Sequence, residues 1–288
     1  MNTKINKLNN KKYLTIFIII SAVGINSLIS LLMGYWSYSW LPIQASEAAN
    51  YVDNLFAFET TIGTFIFLGC TGTMAWILIF NRAPKYDESN GQPLEGNVKL
   101  EVIWTIIPLI LVLAIATYAT KVNYKLENLG SKTKYNFGQE APFVEEKKPF
   151  DFGPIDVISR QWNWEFIYPN GIHSSELHLP INKRTNFRLI TDDVIHSFYI
   201  PAFRLKQDII PGSVITYSLT PTRKGVFRLR DAMFSGAYFS QNQTNVIVES
   251  EDVFNKWINE TVKKELQNGL NPAGRLYDKR LKNGNRGW

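Results

Sequence analysis

Apolar residues crowd three windows in the first 120 positions, roughly Tyr13 to Trp36, Phe56 to Phe80 and Val102 to Ala119. Each is long enough for a helix to cross a hydrocarbon core of about 30 Å, which takes about 20 residues. After about residue 155 the pattern changes to short β-branched and aromatic runs, "FDFGPIDVISRQWNWEFIY", "SSELHLP", "TNFRLIT", "VIHSFYI", "SVITYSLT", "GVFRLR" and "TNVIVE". Turn signals "PNG", "IIPG" and "TPTRKG" separate them, and many short strands at this spacing predict a small β-sandwich or barrel. The last run is followed by "SEDVFNKWINETVKKELQNG". It predicts a helix capped by Ser250 and closed by Gly269, with Phe254, Trp257, Ile258, Val262 and Leu266 on one face.

Charge orients these elements. Four lysines and no acid precede the first window, residues 37–55 hold no Lys or Arg, and residues 81–100 hold Arg82, Lys85 and Lys99. The positive-inside rule then puts 1–12 and 81–101 in the cytoplasm and everything after about residue 120 outside. The predicted division is a cytoplasmic N-terminus (1–12), spans at 13–36, 56–80 and 102–119 separated by that loop, and a polar connector (120–154). An outer β domain (155–250) and a C-terminal helix with a basic tail (251–288) follow. "IQAS" at 43–46 leaves open a cleaved signal peptide in place of a retained first span, hence two or three membrane helices.

Cysteine narrows the chemistry. Cys70 is the only one, so no disulfide and no site needing two thiolates forms within this chain. Its setting in "TFIFLGCTGTMAWILIF" reads as that of a small buried hydrophobe. His173 and His178 lie five apart in an apparent strand, so their side chains are expected to face opposite ways; with His196, each reads as a hydrogen-bonded histidine. No phosphate-binding glycine loop and no internal repeat occur, and the composition gives no reason to expect nucleic acid as a partner.

Three stretches carry a resemblance. "LEGNVKLEVIWTIIPLILV" (94–112), "RQWNWEFIY" (160–168) and "DDVIHSFYIPAFRLKQDIIPG" (192–212) resemble, in collinear order, subunit II of haem–copper terminal oxidases. The resemblance implies a membrane-anchored all-β protein whose outer, cupredoxin-like β-sandwich docks on subunit I. Subunit I holds the haems and the copper where oxygen is reduced. Subunit III, the quinone pool and the lipid bilayer are the other implied partners. It also implies a bacterial, cyanobacterial-type cytoplasmic or thylakoid membrane, with the domain in the periplasm or lumen.

In the cytochrome c oxidases of this family the outer domain holds a two-copper centre, built from two bridging thiolates, two His, a Met and a Glu carbonyl. His196 matches the first histidine. The remaining ligands belong to a C-x-E-x-C-G-x-x-H-S-x-M block, which reads here as "DAMFSGAYFSQN". Asp231 and Ser235 stand for the cysteines, Met233 for the glutamate, Phe239 for the second histidine and Asn242 for the methionine. The resemblance therefore implies that this chain binds no metal. The pattern Ser235-Gly236-Ala-Tyr-Phe239-Ser240 is similar to that of the branch fed by membrane quinol, which includes the cyanobacterial alternative respiratory terminal oxidases.

Two further positions match functional ones. Trp162 stands where electrons enter in the family, and without copper behind it reads as a packing residue. Glu101 matches the acid at the mouth of a proton channel of subunit I. Residues 121–288 carry 24 Lys and Arg against 18 Asp and Glu, which disfavours a basic soluble donor. The expected function is subunit II of a quinol:oxygen oxidoreductase. Two alternatives stay open: a complex fed by a soluble c-type cytochrome, and a membrane-tethered cupredoxin-like binding or assembly protein.

Overall fold

The computed structural model describes residues 2–86, 96–129 and 151–262 with Lys279 and Lys282, and side chains from residue 12 onward up to Leu126 in the helical part. The expected cytoplasmic loop in part, the connector over 130–150, Leu266, Gly269 and the basic tail apart from Lys279 and Lys282 lie outside these residues. Two compact units emerge, Met1–Leu41 with Asp53–Thr120, and Pro42–Val52 with Lys121–Trp288.

The first unit is built from α1 (Asn2–Trp36) and most of α2 (Glu47–Phe80) and α3 (Val98–Leu129), of which residues 47–52 and 121–129 belong to the second. All three contain apolar stretches long enough to cross a membrane. The helices outrun the apolar windows, because backbone hydrogen bonding continues where hydropathy stops. Asn97 starts α3 by accepting from the Lys99 and Leu100 N–H groups at 3.1 and 3.3 Å, a cap that satisfies otherwise orphaned donors.

α1 meets α2 at small and polar residues. A Cβ on Gly34 would lie 3.0 Å from the Ala57 carbonyl and closer still to the Thr61 hydroxyl, so only glycine permits this approach. Asn26 donates to the Phe65 carbonyl at 3.0 Å, and hydroxyls of Ser30, Thr61, Thr71 and Thr73 bond back to carbonyls of their own helices. Cys70 is exposed on α2, contrary to the buried reading. A membrane helix keeps apolar residues outside as well as inside, so hydropathy alone cannot assign a side.

The second unit is a β-sandwich. β1 (Phe152–Arg160), β2 (Asn163–Ile167), β3 (His173–Ser174), β5 (Thr185–Thr191) and β8 (Ile215–Leu219) form one sheet in the order β3-β2-β1-β5-β8. The other runs β4-β10-β9-β6-β7, from β4 (Leu177–Pro180), β6 (His196–Ile200), β7 (Leu205–Ile209), β9 (Gly225–Asp231) and β10 (Gln243–Glu249). β1 pairs with β5 and β4 with β10 in parallel; the other ladders are antiparallel. Alternation sends Val157, Trp164, Phe166, Phe187, Leu189, Phe198, Leu229 and Val246 inward, all essentially inaccessible.

β3 and β7 escape the sequence pattern. β3 has two residues, and "LKQDI" in β7 puts Gln207 between its two buried ends, Leu205 and Ile209. His173 and His178 fall in different sheets, in β3 and β4, rather than in one strand. The sandwich also recruits chain from before α2. Ala45 donates to Ala202 O and accepts from Thr222 N, both at 2.9 Å, while the Ser46 hydroxyl donates to Phe203 O at 2.8 Å.

α4 (Glu251–Thr261) closes one end. Phe254 is 2 % exposed and packs edge-on to Phe152 at 5.1 Å; Trp257 stacks on His178 at 3.9 Å. Val262 is exposed, so the apolar face is shorter than its spacing predicts, and Ser250 makes no side-chain cap bond. Phe254→Ala is expected to destabilise the domain by about 3–5 kcal/mol through a lost contact surface and a residual cavity. Chemical denaturation of the full chain in detergent, followed by tryptophan fluorescence, measures this.

Candidate functional site

Three turns meet at the end of the sandwich where β1 leads to β2, β5 to β6 and β9 to β10. Their centre is Asp231, the last residue of β9, with a fully buried side chain. One oxygen, Oδ2, lies 2.6 Å from His196 Nδ1 and accepts from Ser235 Oγ at 2.9 Å and Asn242 Nδ2 at 3.2 Å. The other, Oδ1, accepts from the N–H groups of Ser197 at 2.9 Å and Met233 at 3.1 Å. Asp231 N donates in turn to Asn242 O, which also receives the indole N–H of Trp164 at 3.0 Å.

His196 is wholly buried at the start of β6, and its second nitrogen faces another carboxylate, Asp193 Oδ1, at 2.9 Å. The ring thus bridges two acids. Asp193 is a member that the sequence pattern did not single out; its position three residues before His196 in "DDVIH" was the only signal. It also accepts from Thr191 Oγ1 at 2.9 Å and from the N–H groups of Val194 and Gln161 at 2.7 and 2.6 Å.

The charges support one another. Burial opposes charge on His196, but the hydrogen bonds and negative charges of Asp231 and Asp193 outweigh it and raise its pKa. Burial likewise opposes ionisation of Asp231; the bonds from His196 and from the Ser197 and Met233 N–H groups prevail and lower its pKa. Asp193 is lowered too, since four donors overcome its burial. All three directions favour a protonated ring between ionised carboxylates.

Trp162 borders this network. It is fully buried, lies edge-on to Tyr238 at 5.1 Å, and is covered by Gly236, whose φ is +118°. A Cβ on Gly236 would come within 2.8 Å of the indole, so both conformation and space call for glycine. The positions matched to copper ligands divide accordingly. His196, Asp231, Ser235 and Asn242 join one hydrogen-bonded cluster, and Met233 contributes its backbone. Phe239 stands apart, packed against Phe234 at 5.2 Å. Among the described residues, no group of three or more His, Cys, Asp and Glu is arranged to hold a metal ion. Glu101 sits far along the chain, exposed in the first turn of α3.

Apolar membrane helices followed by a cupredoxin-like β-sandwich define the class as the membrane-anchored second subunit of respiratory terminal oxidases. Two family profiles match, "Cytochrome C oxidase subunit II, transmembrane domain" over residues 34–122 and "Cytochrome C oxidase subunit II, periplasmic domain" over residues 172–250. The chain belongs to the cytochrome c oxidase subunit II family. Cytochrome c oxidase subunit 2 of Thermostichus vulcanus is 33 % identical over 266 residues, covering 80 % of this chain and 81 % of the relative. The protein of the same name from Synechocystis sp. is 31 % identical, with coverages of 77 % and 76 %. Quinol oxidase subunit 2 of Bacillus subtilis is 26 % identical, covering 70 % of this chain and 60 % of that relative.

The pKa directions fix a pH dependence. The His196 contribution is complete below about pH 6.5, the ordinary histidine value, and is lost as pH rises through the raised folded value. The aspartate contributions are complete above about pH 4 and are lost as pH falls through their lowered values. Stability from the cluster is therefore greatest between about pH 4 and 6.5. His196→Gln is expected to cost about 3–5 kcal/mol there, by leaving buried Asp231 without its cation, and to flatten the alkaline decline. Denaturation midpoints of the full chain, measured within this window and at alkaline pH above it, check both.

Proposed function

We propose that this subunit II serves an oxidase fed by membrane quinol, and that it binds no metal of its own. The observation that carries the reading is the bridged His196. Both its ring nitrogens face carboxylates, so coordinating a metal through either would break a charged hydrogen bond. Asp231 and Ser235 offer hard oxygen donors where a two-copper centre uses soft thiolates, and the chain's one cysteine is on α2. These residues do not fit that centre.

On this reading the subunit's task is to dock on subunit I and shape it, beside subunit III, while the haems and copper of subunit I perform the chemistry. Electrons arrive from the quinone pool within the bilayer. Trp162 is then a packing residue held by Gly236 and Tyr238, in keeping with its complete burial. Glu101, exposed at the start of α3, feeds protons toward subunit I. Residues 1–12 and 81–101 face the cytoplasm, and 155–250 form the outer domain.

The names of the two cyanobacterial relatives favour a second reading, with a soluble c-type cytochrome as donor. That reading lacks a relay metal at this loop. Oxygen uptake by the purified complex distinguishes the two: rapid turnover with a soluble quinol analogue and little with reduced cytochrome c is expected, and the reverse pattern rejects the proposal. For Glu101→Ala, turnover is expected to fall several-fold while haem content and subunit composition stay unchanged. Unaltered turnover leaves Glu101 a solvated helix-end acid.

A further inference from the structure

We infer that a notch at the foot of the outer domain binds the headgroup of an anionic, hydroxyl-bearing lipid of the outer leaflet. The notch has a volume of about 460 Å³ and is lined by Gln44, Ser46, Glu47, Asn50, Tyr51, Thr222 and Arg223. Lys125, near the end of α3, lies over the Tyr51 ring at 5.3 Å, so it joins Arg223 as a second cation beside the same opening. Backbone bonds tie the walls together: Thr222 N donates to Ala45 O at 2.9 Å and Glu47 N donates to Thr220 O at 3.1 Å.

At about 1.5 Å per residue, α2 spans roughly 43 Å from Tyr51 to Phe80, and α3 roughly 40 Å from Val98 to Lys125. Tyr51 and Lys125 fall in the end segments of the candidate spans Glu47–Phe80 and Val98–Leu126, at the ends away from residues 81–97, where a spanning helix reaches the headgroup layer. Tyr118 and Tyr124, on the same outer stretch of α3, are of the residue type enriched at that boundary.

The lining selects the ligand. Arg223 and Lys125 suit an anionic phosphate or similar oxyanion, whereas the Glu47 carboxylate opposes a bare anion and accepts from hydroxyls. Gln44, Asn50 and Thr222 add neutral hydrogen-bonding groups, and Tyr51 an aromatic wall. A headgroup combining negative charge with hydroxyls, such as phosphoglycerol, satisfies both kinds of residue. Free inorganic phosphate satisfies only the cations.

The test places the purified complex in phosphatidylcholine nanodiscs doped with a phosphatidylglycerol whose headgroup carries a photoactivatable group. Labelled peptides are then mapped. Residues 44–51 and 222–224 are expected to be labelled in the wild type, and roughly tenfold less in the Arg223→Gln/Lys125→Gln variant. Arg223→Lys, which keeps the charge, is expected to retain labelling. Any of three outcomes overturns the inference: equal labelling in the double variant, equal labelling by a phosphatidylcholine bearing the same photogroup, or displacement by inorganic phosphate.

Discussion

The contact between Asp231 and His196 organises the functional end of this protein. Two oxygens of one buried carboxylate collect five donors from β6, the β9–β10 loop and the residue preceding β10. A buried charge is costly unless it is paired and hydrogen-bonded, and here both conditions hold. The loop, the indole of Trp164 and the placement of Gly236 over Trp162 follow from that arrangement. Asp193 completes it by holding the outer side of the ring and tying the Gln161 turn to the same centre.

On the proposed reading, a loop that binds no metal needs such a device. In this chain an imidazolium provides a positive charge between carboxylates, and the side chains that would have been ligands become mutual hydrogen-bond partners. The framework that surrounds them stays apolar and aromatic. On that reading copper chemistry and loop architecture are separable: the first depends on a few soft donors, the second on filling the space and satisfying the charges.

Much of this was legible in the sequence. Apolar length revealed the membrane spans, seven β-type runs covered eight of the described strands with β1 and β2 undivided, and the absence of a second cysteine limited the loop's chemistry. Phe254 and Trp257 were recognisable as a buried helix face because their spacing is helical. Other features leave no local trace. β7 has a polar residue at its inward-facing centre, Cys70 has the hydropathy of a buried residue but an outward position, and Asp193 resembles any turn aspartate until folding brings it against His196. Recruitment of Ala45 and Ser46 into the sandwich depends on residues more than 150 positions away, which no periodicity reports.

The central claim is that carboxylate–imidazolium pairing, rather than copper, holds the β9–β10 loop. Copper retention tests it most directly: the full chain, purified in detergent without subunit I, is exposed to copper under reducing and then oxidising conditions and freed of excess by desalting. The account predicts no retained copper and hydrogen-exchange protection of residues 232–242 that is the same before and after exposure. Stoichiometric copper, with protection of that loop gained only on its binding, would contradict it.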